Sequence, residues 1–295
     1  MILEHPDNTL TAHDRRLHAF RPDLADKRLE GEVEAARFVA GRPARIAVPV
    51  ADLRREPRAE AGIDTQFLYG DDVTVFDEAG GFAWVQGARD GYVGYVAASA
   101  LGGRDDQPTH LVSVPRTFLY PGPDLRFPRR AALSMGSAVT VTGTAETRGT
   151  TYALLASGEA AIAGHLTPVG THAADYVAVA ESFENTPYLW GGVSGFGIDC
   201  SGLVQLAMRM AGRDVPRDSD MQADGLGAPL DPGEDHSGLR RGDLVFWKGH
   251  VAIMLDADTM IHANGHTMQV SREGLREAIA RIGYLYGGPT GFRRP

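Results

Sequence analysis

From about Arg45 the chain runs through short apolar stretches, RIAVPV, QFLYG, DVTVF, FAWVQG and GYVGYV, separated by glycine, aspartate and Ala-Gly-Gly breaks. Stretches of this length, rich in β-branched and aromatic residues and bounded by turn formers, predict a succession of short β-strands. The pattern then recurs. A shift of 66 residues carries Val48-Pro49 onto Val114-Pro115, Leu53 onto Leu119, Gly70 onto Gly136, and Val73-Thr74-Val75 onto Val139-Thr140-Val141. Further on, the copies read GGFAWVQGARDGYVGYVAASAL and RGTTYALLASGEAAIAGHL, a couple of residues out of step. Two copies of one small barrel are therefore expected, over residues 45–103 and 108–168. Residues 1–44 are polar and charged, with apolar positions too loosely spaced for a core, which predicts an arm that packs on something else.

After Gly170 the period changes. In THAADYVAVAESFENTPYLWGG, Tyr176, Val177, Ala180 and Phe183 recur at helical spacing and stop at Thr-Pro. GIDCSGLVQLAMRMAG predicts a second helix over Cys200 to Met210, with Leu203, Val204, Leu206, Ala207 and Met210 on one face and Gly212 as its stop. Strand-like runs follow at 244–247 (LVFW), 250–255 (HVAIML) and 260–263 (MIHA). Helices ahead of a run of strands predict an α+β domain over 170–295, its helix backed by an antiparallel sheet.

The length of 295 residues suits two or three domains. A single cysteine excludes an intramolecular disulfide and a zinc site of several thiolates. The formal charge of -9 disfavours nucleic acid or an anionic membrane surface as partner. MILEHPDNTL lacks the basic and apolar regions of a secretory signal, and no run approaches the ~18 apolar residues of a membrane span, so a cytoplasmic address is expected; a monomer is the expected state.

Cys200 falls at the first turn of its predicted helix, where free amides and the macrodipole favour an anion and hence a nucleophilic thiolate. A buried, inert thiol is the plainer reading, but Asp199 and Ser201 flank it. The nucleophile needs a base, and only His250 and His262 of the ten histidines fall in strand-like runs of this domain. If those runs form a hairpin with Leu255–Thr259 as a five-residue loop, Met254 pairs with Met260 and Ala252 with His262. His250 and His262 then share a side as diagonal neighbours, one addressing the sulfur and the other orienting it. A metal site of His250, His262 and His266 is disfavoured, because an Asn-Gly turn separates the last two and no carboxylate has ligand-like spacing.

YLWGGVSGFGIDCSGLVQ, PRDSDMQ, LRRGDLVFWKGHVAIML and MIHANG, in that order over about residues 170–295, resemble the NlpC/P60 family of papain-like cell-wall peptidases, and the upstream repeat resembles two bacterial SH3-like barrels. The resemblance implies a cysteine peptidase with Cys200 as nucleophile, His250 as base and His262 orienting it, and with no cofactor. The combination with two barrels looks most like the subgroup cutting the γ-D-glutamyl bond to a diamino acid in peptidoglycan stem peptides with a free N-terminal L-alanine. It implies Asp199 at the substrate ammonium, Ser201 and Ser219 on the D-glutamyl α-carboxylate, and Tyr188 beside the thiol at the oxyanion. It also implies a first-barrel tyrosine, Tyr92 or Tyr95, and a first-barrel acid, Glu60 or Asp64, at the ammonium. A wall-fragment binding protein with a vestigial catalytic domain, and an amidase or acyltransferase on the same fold, are the competing readings.

Overall fold

The structure, a computed structural model, describes residues 13–104 and 106–295; the first twelve residues of the expected arm lie outside the described residues. Strands Arg42–Ile46, Val50–Arg54, Ile63–Leu68, Asp72–Ala79, Phe82–Gly87, Val93–Ala97 and Leu101–Gly102 join in one seven-stranded sheet, closed around Leu53, Phe67, Val73, Val85 and Val96. The same order of elements returns between His110 and Pro168, including the 3-10 turn (Ala98–Ala100, then Ala163–His165) before the last strand, around Val112, Leu119, Leu133, Val139 and Leu155. Here the pairing breaks into three smaller sheets. The glycines that align in the repeat share a backbone state, with φ of +84° at Gly70 and +85° at Gly136. A side chain at Gly70 would also drive its Cβ to 2.3 Å from the Ala138 carbonyl, where the barrels meet.

The arm packs on the first barrel. Ala19 and Leu24 are buried with Phe76 and Trp84, and the Arg21 guanidinium lies 4.4 Å from the Trp84 ring while bonding Asp77 at 2.7 Å.

The third unit has four helices, α1 (Tyr176–Glu181), α2 (Cys200–Met210), α3 (Ser219–Gly225) and α4 (Leu275–Tyr286). Its antiparallel sheet orders the strands 228–229, 291–294, 244–247, 250–254, 259–264 and 269–274. Alternation along the central strands divides the core: Leu244, Phe246, Val251, Ile253 and Ile261 face α2, whereas Val245, Trp247, Ala252, Met254 and Met260 pack with Leu275, Ala278 and Ile282 of α4. The α2 boundaries are those the sequence predicts, and Gly212, with φ +77°, follows its C-cap. Positions from Cys200 to Met208 are buried all round, because the sheet covers one side and the barrels the other. Gln205 bonds Asp90 at 3.1 Å and Arg209 bonds Asp71 at 3.1 Å, which fixes the first barrel against α2. Helix α4 and the strand Gly291–Arg294, inserted beside 244–247, were not expected from the pattern of apolar positions.

Candidate active site

Cys200 is the first residue of α2 and retains 7% of its exposure. The sequence places a thiolate there, but the helix end is already occupied by an anion. Asp199 is the N-cap, and its Oδ1 accepts from the Gly202 amide at 2.7 Å. Burial, with the Asp199 charge second, pushes the Cys200 thiol up to about 12; the amides of Val251 and Ser201 and the Arg217 charge offset only part of this. The resting sulfur is a thiol.

The hairpin has the predicted register, with Met254 opposite Met260 and Ile253 opposite Ile261. His250 Nε2 lies 2.9 Å from His262 Nδ1. Behind His262, a residue unforeseen in the sequence completes the line: Glu273 Oε2 is 3.1 Å from His262 Nε2, although off the axis of a straight hydrogen bond. Glu273 is held in turn by Arg281 of α4 through bonds of 2.8 and 2.6 Å. Burial works against the Glu273 carboxylate, yet Arg281 and His262 outweigh it and hold the pKa at about 2. A carboxylate facing Nε2 favours the tautomer with the proton there, leaving His262 Nδ1 to accept from His250 Nε2–H. His250 Nδ1 is then the unprotonated nitrogen. Burial, reinforced by His262 and Arg281, pushes His250 down to about 3, so the imidazole is neutral at rest.

Asp199 is expected to meet an ammonium, but its carboxylate is filled. Arg217, 1% exposed, pairs with it through Nη1–Oδ1 at 3.0 Å and Nη2–Oδ2 at 2.6 Å, and the Gly191 amide bonds Oδ2 at 2.9 Å. Arg217 also donates to Ser201 Oγ at 2.8 Å and, through Nε, to Thr65 Oγ1 of the first barrel at 2.7 Å. Four of its five N–H groups are engaged, leaving one on Nη2. Arg217 is thus the central cation of the site, and PRDSDMQ contains it without marking it, since a Pro-Arg-Asp-Ser run also reads as a helix start. Ser219 opens α3, half-buried, two residues beyond Arg217.

Of the first-barrel candidates, Tyr92 reaches this cluster, its hydroxyl donating to Asp218 Oδ2 at 3.0 Å. Asp64 is the residue before Thr65, and its Oδ1 accepts from Arg55 at 2.6 Å. Tyr95 is turned to the arm, where Arg21 donates to its hydroxyl at 3.1 Å, and Glu60 lies exposed in a turn. Tyr92 stands just before the strand Val93–Ala97 and Tyr95 within it, and the two side chains meet different surroundings. Tyr188 is half-buried; burial, then the neighbouring Cys200 and Asp199, raises its pKa, so the phenol stays a donor beside the sulfur. His266 is exposed on the Asn264 turn, and no cluster of three or more metal-ligating side chains occurs among the described residues.

Two outcomes follow. Because the resting thiol is neutral, carbamidomethylation of Cys200 by iodoacetamide should accelerate with pH throughout the range from 7 to 10; a plateau already reached at pH 6 would report a preformed ion pair and contradict this. Glu273 has a depressed folded-state pKa, so its stabilising contribution is complete above its ordinary value of 4.5 and is lost as pH falls toward 2. Glu273→Gln should accordingly flatten the fall of melting temperature over that window, and an unchanged slope would show that Glu273 is not held as described.

Residues 53–101 match the family described as bacterial dipeptidyl-peptidase SH3 domain, and residues 185–285 match the NlpC/P60 family. A γ-D-glutamyl-L-lysine dipeptidyl-peptidase of Bacillus cereus is 29% identical over 228 residues, covering 68% of this chain and 67% of that protein. One of the same name from Bacillus subtilis is 38% identical over 100 residues, 31% of this chain and 32% of that protein. The crystal structure of an NlpC/P60 family protein from Bacillus cereus superposes with a TM-score of 0.70 and 25% identity, covering 86% of this chain and 99% of that one. No helix among the described residues is long and apolar enough to cross a membrane. Residues 185–285 thus carry an NlpC/P60 family domain, and residues 53–101, ahead of it, a bacterial SH3 domain.

Proposed function

We propose that the protein is a cysteine peptidase hydrolysing the γ-D-glutamyl bond to a diamino acid in peptidoglycan stem peptides with a free N-terminal L-alanine, releasing L-Ala-γ-D-Glu. The observation that carries this reading is the directed line Arg281–Glu273–His262–His250, on a strand whose next residue, Val251, turns its amide to the sulfur of Cys200 at the start of α2. The names of the Bacillus relatives support the same bond.

In this reading the Cys200 proton passes to His250 Nδ1 as sulfur bonds the γ-carbonyl carbon. The oxygen gains the electron pair and is held by the Cys200 amide, which has no acceptor within its own helix, and by the Tyr188 hydroxyl. The C–N bond breaks as His250 returns the proton to the leaving amine. Water then attacks the thioester, His250 takes its proton, and the dipeptide leaves as the sulfur regains a proton. A neutral thiol and neutral imidazole at rest fit this sequence, because the charge separates only when a substrate arrives.

The substrate's first two residues carry an ammonium and an α-carboxylate. The cluster beside Cys200 offers both complements: the remaining Arg217 N–H with Ser201 and Ser219 for the carboxylate, and Asp64, Asp218 and the Tyr92 hydroxyl for the ammonium. Asp199 contributes by holding Arg217 in place. Such peptides arise when wall fragments are taken up and reused, which gives the enzyme a recycling role in the cytoplasm.

Cys200→Ala should abolish turnover of L-Ala-γ-D-Glu-diamino acid tripeptide while leaving the melting temperature near that of the parent; retained turnover would reject the mechanism. With the parent enzyme, N-acetylating the alanine removes a charge partner worth about 2–5 kcal/mol, a fall of roughly thirtyfold or more in kcat/KM. Equal rates for the two peptides would instead indicate an endopeptidase with an open cleft.

A further inference from the structure

We infer that Arg16, on the N-terminal arm, is a positioning residue for the substrate end of the cleft, acting through Asp218 on residues 215–219. The inference deepens the proposed function and rests on it for its kinetic consequence; its structural consequence stands alone. Arg16 lies outside the segments that match either family.

The arm sets Arg16 rigidly. Its carbonyl accepts from the Val93 amide at 2.8 Å, the next carbonyl, Leu17, accepts from Gln86 at 2.7 Å, and its Nε and Nη2 are bound by Asp14 at 3.1 and 2.8 Å. What remains is Nη1, which reaches across to the third unit and donates to Asp218 Oδ2 at 2.9 Å and Asp220 Oδ2 at 2.9 Å. Asp218 occupies the N-cap position of α3, yet its side chain makes no capping bond there. Its carboxylate is committed instead to Arg16 and to Tyr92, from the arm and the first barrel. A residue type suited to capping its own helix is thereby used to tie that helix to another unit.

The neighbours of Asp218 give this tie its leverage. Arg217 precedes it and holds Asp199 and Ser201; Ser219 follows it and opens α3. Burial raises the Asp218 pKa, with Arg217 and Arg16 opposing, so removing Arg16 leaves a poorly hydrated carboxylate near Asp220. That carboxylate can relieve itself by turning onto the free amides of α3 or into solvent, and either move displaces the chain that carries Arg217 and Ser219. Arg16 thus completes a binding surface to which it contributes no atom itself.

The test compares the parent with Arg16→Ala and Arg16→Lys by hydrogen exchange and steady-state kinetics on the free tripeptide. In Arg16→Ala, exchange across residues 215–225 should accelerate at least fivefold while residues 250–264 keep their protection. KM should rise about tenfold with kcat within threefold, and Arg16→Lys, which keeps the charge without the fork, should recover part of the loss. Protection of 215–225 within twofold of the parent overturns the inference whatever the activity, and so does a KM within twofold in an enzyme that cleaves the tripeptide. If the parent does not cleave the tripeptide, the proposed function fails and the exchange measurement alone decides this inference.

Discussion

The buried pair of Asp199 and Arg217 is the constraint on which the cleft depends. Removing two charges from water costs several kcal/mol per ion, and mutual attraction recovers that only when the remaining donors and acceptors are matched. Here they are. The carboxylate receives both arms of the guanidinium and the amides of Gly191 and Gly202, while the guanidinium reaches on to Ser201 and Thr65. One interaction therefore caps α2, fixes the glycine turn before it, anchors the chain leading into α3 and secures the first barrel.

The same pair governs the chemistry of the sulfur. A helix N-terminus can stabilise a thiolate, but here Asp199 takes the free amide and adds a negative charge of its own. Burial does the rest, so the sulfur is stored as a thiol while the His250 imidazole is kept neutral. The directional information comes from the opposite side of the sheet, where Glu273 and Arg281 set the tautomer of His262 and through it that of His250. Reactivity is divided between a front that positions charge for the substrate and a back that orders protons.

How much of this could be read from the sequence depended on the range of the interaction. The α2 helix was legible because its apolar spacing and Gly212 are local signals. The hairpin register was legible because an odd loop forces His250 and His262 onto one side. The paired barrels appeared through the 66-residue repeat, and equal positive φ at Gly70 and Gly136 shows why those glycines recur. Arg217 was not legible: a buried arginine looks like any other until Asp199, eighteen residues earlier, and Thr65 of another unit are brought to it. Glu273 and Arg281 escaped for a related reason, since a glutamate near a strand end and an arginine on an amphipathic helix read as solvated surface until the fold brings them to His262. The choice between Tyr92 and Tyr95 turned on contacts with Asp218 of the third unit and with Arg21 of an arm whose docking partner the sequence did not name.

The most direct test of the central pair is a double-mutant cycle on unfolding free energy with Asp199→Asn, Arg217→Met and the two combined. Each single change should cost about 3–5 kcal/mol, because it strands the other charge in the interior. The combined variant should lose less than the sum of the two, by at least about 1 kcal/mol. Losses that simply add would mean that the two side chains act independently, and the cleft would need another organising interaction.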